Sequence, residues 1–334
     1  MASISFLLGM VPTTEKVESA DDQIRADYKA FKDFEVSDEL KSYLDLEKEI
    51  KSSEFALRKR KIKKRDYKNS QEFQKEEEYK VLKKSEKIVW YYKTKKKYPF
   101  KDLEKWELTF EDTFEEGRLD TSRWATRYYW GDQGMDSGFA LADDQSFPTD
   151  GENVEFYDKK ARIVTKNGQV EGLQWRPGQG FVLEQFDYTS GLISTSKSFR
   201  QKYGVFKAKV RMAAGSVAQA FWMVSDGMVP HIDVARFENG KLYANYFWRK
   251  SKSLSKTGGG KYADTYFIYS LEWSPNKLVW KINGKVFKTQ TSGVPQEEMY
   301  INFSSHLRND VSGDGLPSAM EIDWVRAYKL KSKS

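Results

Sequence analysis

The segment best suited to chemistry runs from His231 to Arg236, with the sequence His-Ile-Asp-Val-Ala-Arg. Alternation along a β-strand would put His231 and Asp233 on one face. Arg236 cannot act as a general acid, because the pKa of a guanidinium lies above about 12. His231 could serve as a base, and Asp233 is the one carboxylate. The segment therefore predicts a polar site that lacks a pair of carboxyl groups.

Composition restricts the remaining chemistry. The 334-residue chain has no cysteine and only two histidines, His231 and His306. Disulfides, thiolate zinc sites and cysteine nucleophiles are thereby excluded, and any Ser-His-Asp triad would have to use one of these two histidines. We expect no cofactor.

The net charge of +7 raises the question of a polyanionic partner. Residues 1–104 hold 25 Lys+Arg and 21 Asp+Glu, a net of +4, which leaves +3 for the rest of the chain. The densest basic run, residues 58–68, is followed by Glu76, Glu77 and Glu78, which could neutralise it from a neighbouring helix. Nucleic acid is therefore not an expected partner.

The elements that would position the site fall into two regions of different composition. Ser37, Ser53, Ser70 and Ser85 are each followed closely by an acidic residue, which is typical of helix starts. From Trp106 onward the pattern changes to strands with alternating polar and apolar residues, and Asn283-Gly284 predicts a type I′ hairpin turn. The predicted divisions are an N-terminal arm over 1–36, a helical domain over 37–104, a β domain over 105–330 and a polar tail over 331–334.

The first residues carry a short apolar stretch, Ile4–Val11, without a basic segment before it or an evident cleavage site. No run approaches the roughly 20 apolar residues of a membrane-spanning helix. We expect a chain that is cytoplasmic or assembled into a larger particle rather than secreted, and no membrane span.

Several segments from residue 106 onward resemble glycoside hydrolase family 16, in order and at the expected spacings. They are FEDTF at 110–114, LDTSRW at 119–124, SGLI at 190–193, YGVFKAKV at 203–210, AFWM at 220–223, YSLEWSP at 269–275, ING at 282–284 and EIDWVRAY at 321–328. The resemblance covers about residues 106–329. It implies a mainly β protein, a concanavalin-like jelly-roll sandwich of two antiparallel sheets with a glycan cleft, here preceded by a small α-helical N-terminal domain.

In that family the catalytic strand reads Glu-x-Asp-x-x-Glu, or the same with one residue fewer, in which the first glutamate is the nucleophile and the last is the acid/base. In the longer form a bulge returns the last glutamate to the face of the first, so the resemblance implies that Arg236 shares a face with His231 and Asp233. His231 and Arg236 stand at these two positions in this sequence, and only the middle Asp233 is kept. Retaining hydrolysis needs two carboxyl groups about 5–5.5 Å apart. We therefore predict a catalytically inactive relative, a pseudoenzyme that binds a glycan or serves as a structural module.

Two alternatives stay open. One is a structural or assembly component, for example of a phage virion or a bacterial surface machine, with a closed cleft in which Arg236 pairs with Asp233. Its helical part would bind a protein partner. The other is an active endo-β-glycosidase on a glucan or galactan with relocated carboxylates, for which Glu238 and Asp226 are the nearest candidates.

The resemblance also suggests how a glycan would be bound. The aromatic candidates for stacking on sugar rings are Trp130, Trp222 and Trp248. Arg236 and Asp233 would supply polar contacts, and the arginine favours an anionic polysaccharide or oligosaccharide, sulfated or uronate. A structural calcium is common in the family, and Asp323 stands where one of its ligands would be expected.

Overall fold

The computed structural model describes residues 11–129, 138–249, 251–309 and 311–331. It divides into a helical unit over Glu18–Lys105 and a β unit that takes in Trp106–Ser334 and the chain before Glu18. No helix within the described ranges is both long and apolar enough to cross a membrane.

The helical unit contains short helices that begin at serine caps. The helices are α1 Thr14–Glu35, α2 Asp38–Ile50, α3 Ser53–Lys61, α4 Gln71–Lys83, α5 Glu86–Lys97 and α6 Lys101–Lys105. The side chains of Ser37, Ser52, Ser70 and Ser85 each accept a hydrogen bond from a backbone N–H in the first turn. The second cap is Ser52 rather than the predicted Ser53.

Most of α1 belongs to the helical unit, although it lies within the predicted N-terminal arm. Phe31 of α1 is fully buried and stacks on Tyr91 of α5 at 5.2 Å between ring centroids. The basic run of α3 is partly neutralised. Of the three predicted glutamates, Glu76 pairs with Lys59, whereas Arg58 contacts Glu49 and Glu72 at 2.8 and 3.2 Å, which were not predicted.

The β unit is built from eighteen described strands. They are β1 Trp106–Asp112, β2 Phe139–Ala140, β3 Ser146–Pro148, β4 Val154–Tyr157, β5 Lys160–Arg176, β6 Gly180–Ser194, β7 Gly204–Arg211, β8 Ala218–Val224, β9 His231–Glu238, β10 Lys241–Tyr243, β11 Tyr246–Trp248, β12 Ser251–Ser253, β13 Lys256–Gly258, β14 Tyr266–Ser274, β15 Lys277–Ile282, β16 Lys285–Gln290, β17 Tyr300–His306 and β18 Ser318–Leu330.

Most of these strands form two antiparallel layers, which the β5–β6 pair joins, while the short β2 and β3 pair in parallel with β5 and β6. The first sheet runs β16–β15–β14–β7–β18–β5–β4, with β1 also paired to β18. The second runs β6–β17–β8–β9, and β9 then pairs with both β10 and β11. Apolar side chains from both sheets, such as Phe206, Leu271, Phe221 and Phe303, share one buried core. The predicted jelly-roll sandwich is confirmed.

Local sequence accounts for the hairpin between β15 and β16. Asn283 and Gly284 have φ values of 45° and 77°, and Ile282 pairs with Lys285 across them. Both central residues are thus in the left-handed region, as a two-residue type I′ turn requires and as the sequence predicts.

Candidate functional site

The second sheet has one face toward the core and an opposite face, which we call the cleft face. Phe221, Ile232 and Phe303 of this sheet are buried in the core. His231 and Asp233 flank Ile232 along β9, so alternation places both on the cleft face.

A bulge in β9 places the side chain of Arg236 on the cleft face. Trp222 of β8 opposes Asp233, whereas the preceding Phe221 opposes Ala235, so Val234 is the extra residue. Arg236 therefore returns to the cleft face, as predicted from the motif. Glu238 follows two residues later on the same face.

An open cleft of about 720 Å³ lies over β9 and its neighbours. Its charged lining residues are Asp233, Arg236, Glu238, Lys256 and Arg308, and its larger apolar ones include Tyr243, Phe247 and Leu254. This volume is in the usual range for small-molecule sites.

Asp233 is held as a buried anion. His231 Nε2 lies 2.9 Å from Asp233 Oδ1, and Asn245 Nδ2 donates to Oδ2 at 2.9 Å. Burial alone would raise the pKa of Asp233, but these hydrogen bonds and the charge of Arg236 hold that pKa below its ordinary value. Because an ionised carboxylate only accepts hydrogen bonds, Nε2 of His231 carries the hydrogen and is not free to act as a base.

Arg236 pairs with Glu238 rather than with Asp233. Its Nε donates to Glu238 Oε2 at 3.0 Å, and Arg308 Nη1 lies 3.8 Å from Glu238 Oε1. Burial alone would lower the pKa of Arg236, but the charges of Asp233 and Glu238 raise it above the ordinary value. Arg236 is therefore a permanent cation between two carboxylates.

The charges of Arg236 and Arg308 also influence the pKa values of a second buried pair, Asp144 and His306. His306 Nε2 lies 3.7 Å from Asp144 Oδ1. Burial raises the pKa of Asp144 to about 7, and burial with the charges of Arg236 and Arg308 lowers the pKa of His306 to about 3. No sequence motif indicated this pair, because Asp144 comes from the loop before β3.

Both carboxylates of β9 already have partners. Asp233 and Glu238 are two same-face steps apart along the strand, and Arg236 stands at the step between them. Asp233 is bound by His231 and Asn245, and Glu238 accepts from Arg236, so neither is a free carboxyl group of the kind that retaining or inverting hydrolysis needs. The other candidate, Asp226, pairs with Arg200 at 2.5 Å and is not among the described lining residues.

The predicted aromatic candidates are not brought together in the cleft. Trp222 is on the cleft face but only 7% exposed, with Nε1 donating to Ser304 Oγ at 3.0 Å. Trp248 points to the other side of β11, where its ring stacks on Tyr246 at 4.7 Å. Phe247, which opposes His231, takes the place in the cleft. Trp130 lies outside the described residues.

The donor set at Asp323 does not fit a calcium ion. Lys209 Nζ lies 2.6 Å from Asp323 Oδ2, so an ammonium group already occupies the space beside this carboxylate. Among the described residues no group of three or more His, Cys, Asp or Glu side chains is arranged to hold a metal ion. Calcium prefers six to eight oxygen ligands, and this position offers a competing cation.

Comparison with known proteins agrees with this fold. The family model for glycosyl hydrolases family 16 matches residues 149–326. Glucan endo-1,3-beta-glucosidase A1 of Niallia circulans is 24% identical over 262 residues, 66% of this chain and 38% of that protein. Endo-1,3-1,4-beta-glycanase ExsH of Rhizobium meliloti (strain 1021) is 28% identical over 159 residues, 43% of this chain and 34% of that protein.

The chain thus spans little more than a third of the length of these curated relatives. Among solved structures, the catalytic domain of an endo-1,3-beta-glucanase (laminarinase) from Thermotoga petrophila RKU-1 superimposes with a TM-score of 0.54 at 18% identity. The match covers 68% of this chain and 99% of that one. With the family model matching more than half of its residues, the chain belongs to glycosyl hydrolases family 16.

Proposed function

We propose that this protein binds an anionic glycan in the cleft over β9 and does not hydrolyse it by the two-carboxylate reaction of its family. The observation that carries the proposal is the open cleft lined by Arg236, Arg308 and Lys256, in which Arg236 stands at one of the two glutamate positions of the family motif. Cations that can form charge-assisted hydrogen bonds favour carboxylate or sulfate groups.

The absence of a suitable carboxyl pair argues against hydrolysis. Neither His231, whose Nε2 is committed to Asp233, nor Arg236, which keeps its proton, can replace a glutamate. Glu238 accepts a hydrogen bond from Arg236, and Asp233 is held by His231 and Asn245, so neither carboxylate is free for the reaction.

Two features suit the cleft to a sugar. Asn245 lines the cleft, and its Oδ1 is buried without a hydrogen-bond partner among the described residues. A buried acceptor left unpaired is costly, and a sugar hydroxyl could donate to it. Phe247 and Tyr243 add aromatic surface, which stacks on sugar rings.

The exposed cation at the rim is Lys256, which forms no ion pair in the described part of the chain. A purely structural role would favour a closed cleft in which the charges satisfy one another. The open cleft and the uncommitted Lys256 favour binding instead.

Binding is tested by affinity electrophoresis through gels that contain a neutral β-1,3-glucan, a sulfated galactan or a polyuronate. Wild-type protein should be retarded by at least one of the two anionic polymers and released by salt, because exposed charges are screened beyond about 8 Å at physiological ionic strength. Lys256→Glu should weaken retention about tenfold. Lys277→Glu, at an exposed position of the first sheet, is the matched control and should leave retention unchanged.

The same polymers are assayed for release of reducing ends. We expect none. Release that Asp233→Asn abolishes would overturn the proposal in favour of a glycosidase with relocated carboxylates. Lack of retention on all three polymers would overturn it in favour of an assembly role.

A further inference from the structure

We infer, on the basis of the proposed function, that the cleft accepts the end of an anionic glycan chain and excludes an internal stretch. The cleft face continues beyond the open part, but the protein covers it there with its own side chains.

Two rows of side chains cross the cleft face at right angles to the strands. One row is Leu192, Ser304, Ala220, Arg236 and Tyr243, and the other is Ser194, Asn302, Trp222 and Asp233. The β9 end of each row lines the open cleft. The part of the two rows that lies on β6 and β8 is buried: the side chain of Leu192 is 1% exposed and that of Trp222 is 7% exposed. A glycan that crossed the whole face would have to occupy both parts.

The cover consists of Tyr128, Phe139 and Leu141. Tyr128 and Phe139 have ring centroids 5.5 Å apart and share one buried cluster with Leu192 and Trp222. Leu141 packs against the same cluster from the edge. An apolar cluster of this kind is stabilised by the surface it removes from water, so a sugar would have to displace it at a cost.

Buried hydrogen bonds fix the chain that carries this cover. Gln174 Nε2 donates to the carbonyl oxygens of Asp144 and Leu141 at 2.9 and 3.2 Å. Ser146 Oγ accepts from the backbone N–H of Leu307 at 2.9 Å. The cover is thus attached to β5 and to the end of β17, and it forms part of the folded structure.

The open part of the cleft ends at a wall formed by the rings of Trp222 and His231, and Arg236 lies beside this wall. The ring of Trp222 stacks on that of His231, with centroids 4.9 Å apart and planes 16° apart. Arg236 opposes Ala220 of β8, which belongs to the same buried cluster as Tyr128, so the backbone of Arg236 lies beside the covered part. A glycan end that reaches this wall brings its terminal carboxylate or sulfate to Arg236.

The test measures how many protein molecules bind each polymer chain. Short and tenfold longer fractions of the anionic polymer retained in the gel assay are titrated into wild-type protein by calorimetry. End binding predicts one protein per chain for both fractions, so the mass of polymer needed for saturation rises tenfold with length. A number of bound proteins that rises with chain length would overturn the inference and leave the proposed function intact. Lack of retention of the protein by either anionic polymer in the gel assay would refute both the inference and the proposed function.

A variant tests the cover itself. Phe139→Ala should open the β6 and β8 part, so that the number of proteins bound per long chain rises above one. Tyr157→Ala truncates an aromatic residue that is 71% exposed on β4, and it should leave the stoichiometry at one. If Phe139→Ala folds, as judged by an unchanged circular dichroism spectrum, and still binds one per chain, the cover is not what restricts the site. If the variant does not fold, the titration of the wild type decides alone.

Discussion

Replacement of Arg236 by methionine tests the charged cluster most directly. Arg236 is the hydrogen-bonded counter-ion of Glu238, and its charge also acts on Asp233 and Asp144. Methionine keeps much of the volume but leaves the carboxylates without this partner. Removing one partner of a buried ion pair costs about 3–5 kcal/mol. Arg308 remains 3.8 Å from Glu238, so we expect the lower end, about 3 kcal/mol at pH 8.

The stability lost in Arg236→Met should depend on pH, because Arg236 influences the pKa of Asp144. The folded-state pKa of Asp144 is about 7, above its ordinary value of 3.8, so its burial costs stability as pH rises between those values. Without Arg236 that pKa rises further, and each unit adds about 1.4 kcal/mol of cost at pH values above it. At pH 5 Asp144 is protonated in both folded proteins, and this extra cost disappears. The variant should therefore lose more stability at pH 8 than at pH 5.

Urea unfolding followed by tryptophan fluorescence measures the free energy of unfolding of wild type and variant at the two pH values. The signal reports on the β unit, because every tryptophan of the sequence except Trp90 lies at or after Trp106. Arg308→Met is the control, because the Arg308 side chain is 39% exposed and its ion pairs are long. It should cost no more than about 1 kcal/mol. An Arg236→Met loss below about 1 kcal/mol, or one equal at the two pH values, would refute the assignment of Arg236 as the buried counter-ion.

Two further predictions concern the frame around the site. Because the ammonium of Lys209 occupies the position beside Asp323, neither added Ca²⁺ nor EDTA should shift Tm, and a rise in Tm with Ca²⁺ would contradict this placement. Gly172→Ala should destabilise the β unit by about 1–3 kcal/mol, because the new Cβ would lie 2.2 Å from the ring of Phe147 in β3. Gly258→Ala, where nothing lies within 4 Å of the new Cβ, is the control for thermal unfolding, and equal losses for the two variants would show that Phe147 moves aside freely.

The sequence allowed the fold and the centre of the site to be predicted because both depend on local rules. Period-two alternation and the spaced family segments define the strands, and the Asn283-Gly284 pair determines its own turn. The bulge that returns Arg236 to the cleft face follows from the length of the motif. The same alternation, continued by two residues, would have placed Glu238 there as well.

The rest of the site depends on tertiary contacts that no periodicity encodes. Lys256 and Arg308 reach the cleft from segments far along the chain, and Tyr128 and Asp144 come from irregular structure before β3. Trp248 was expected in the cleft because of its residue type, but the register of β11 against β9 puts Phe247 opposite His231 instead. Residue type alone does not determine the face on which a side chain lies.

The exchange of catalytic glutamate for arginine is best understood together with the carboxylates around it. Glu238 and Asp144, which are not part of the family's catalytic motif, both lie within the influence of Arg236. A glutamate at position 236 would add a further buried acid between Asp233 and Glu238, with Arg308 as the nearest remaining cation in the cleft. Like charges this close raise one another's pKa and destabilise the fold. The charges at position 236, Glu238 and Asp144 are therefore coupled, and we expect that His231→Glu together with Arg236→Glu would not by themselves produce a working carboxyl pair.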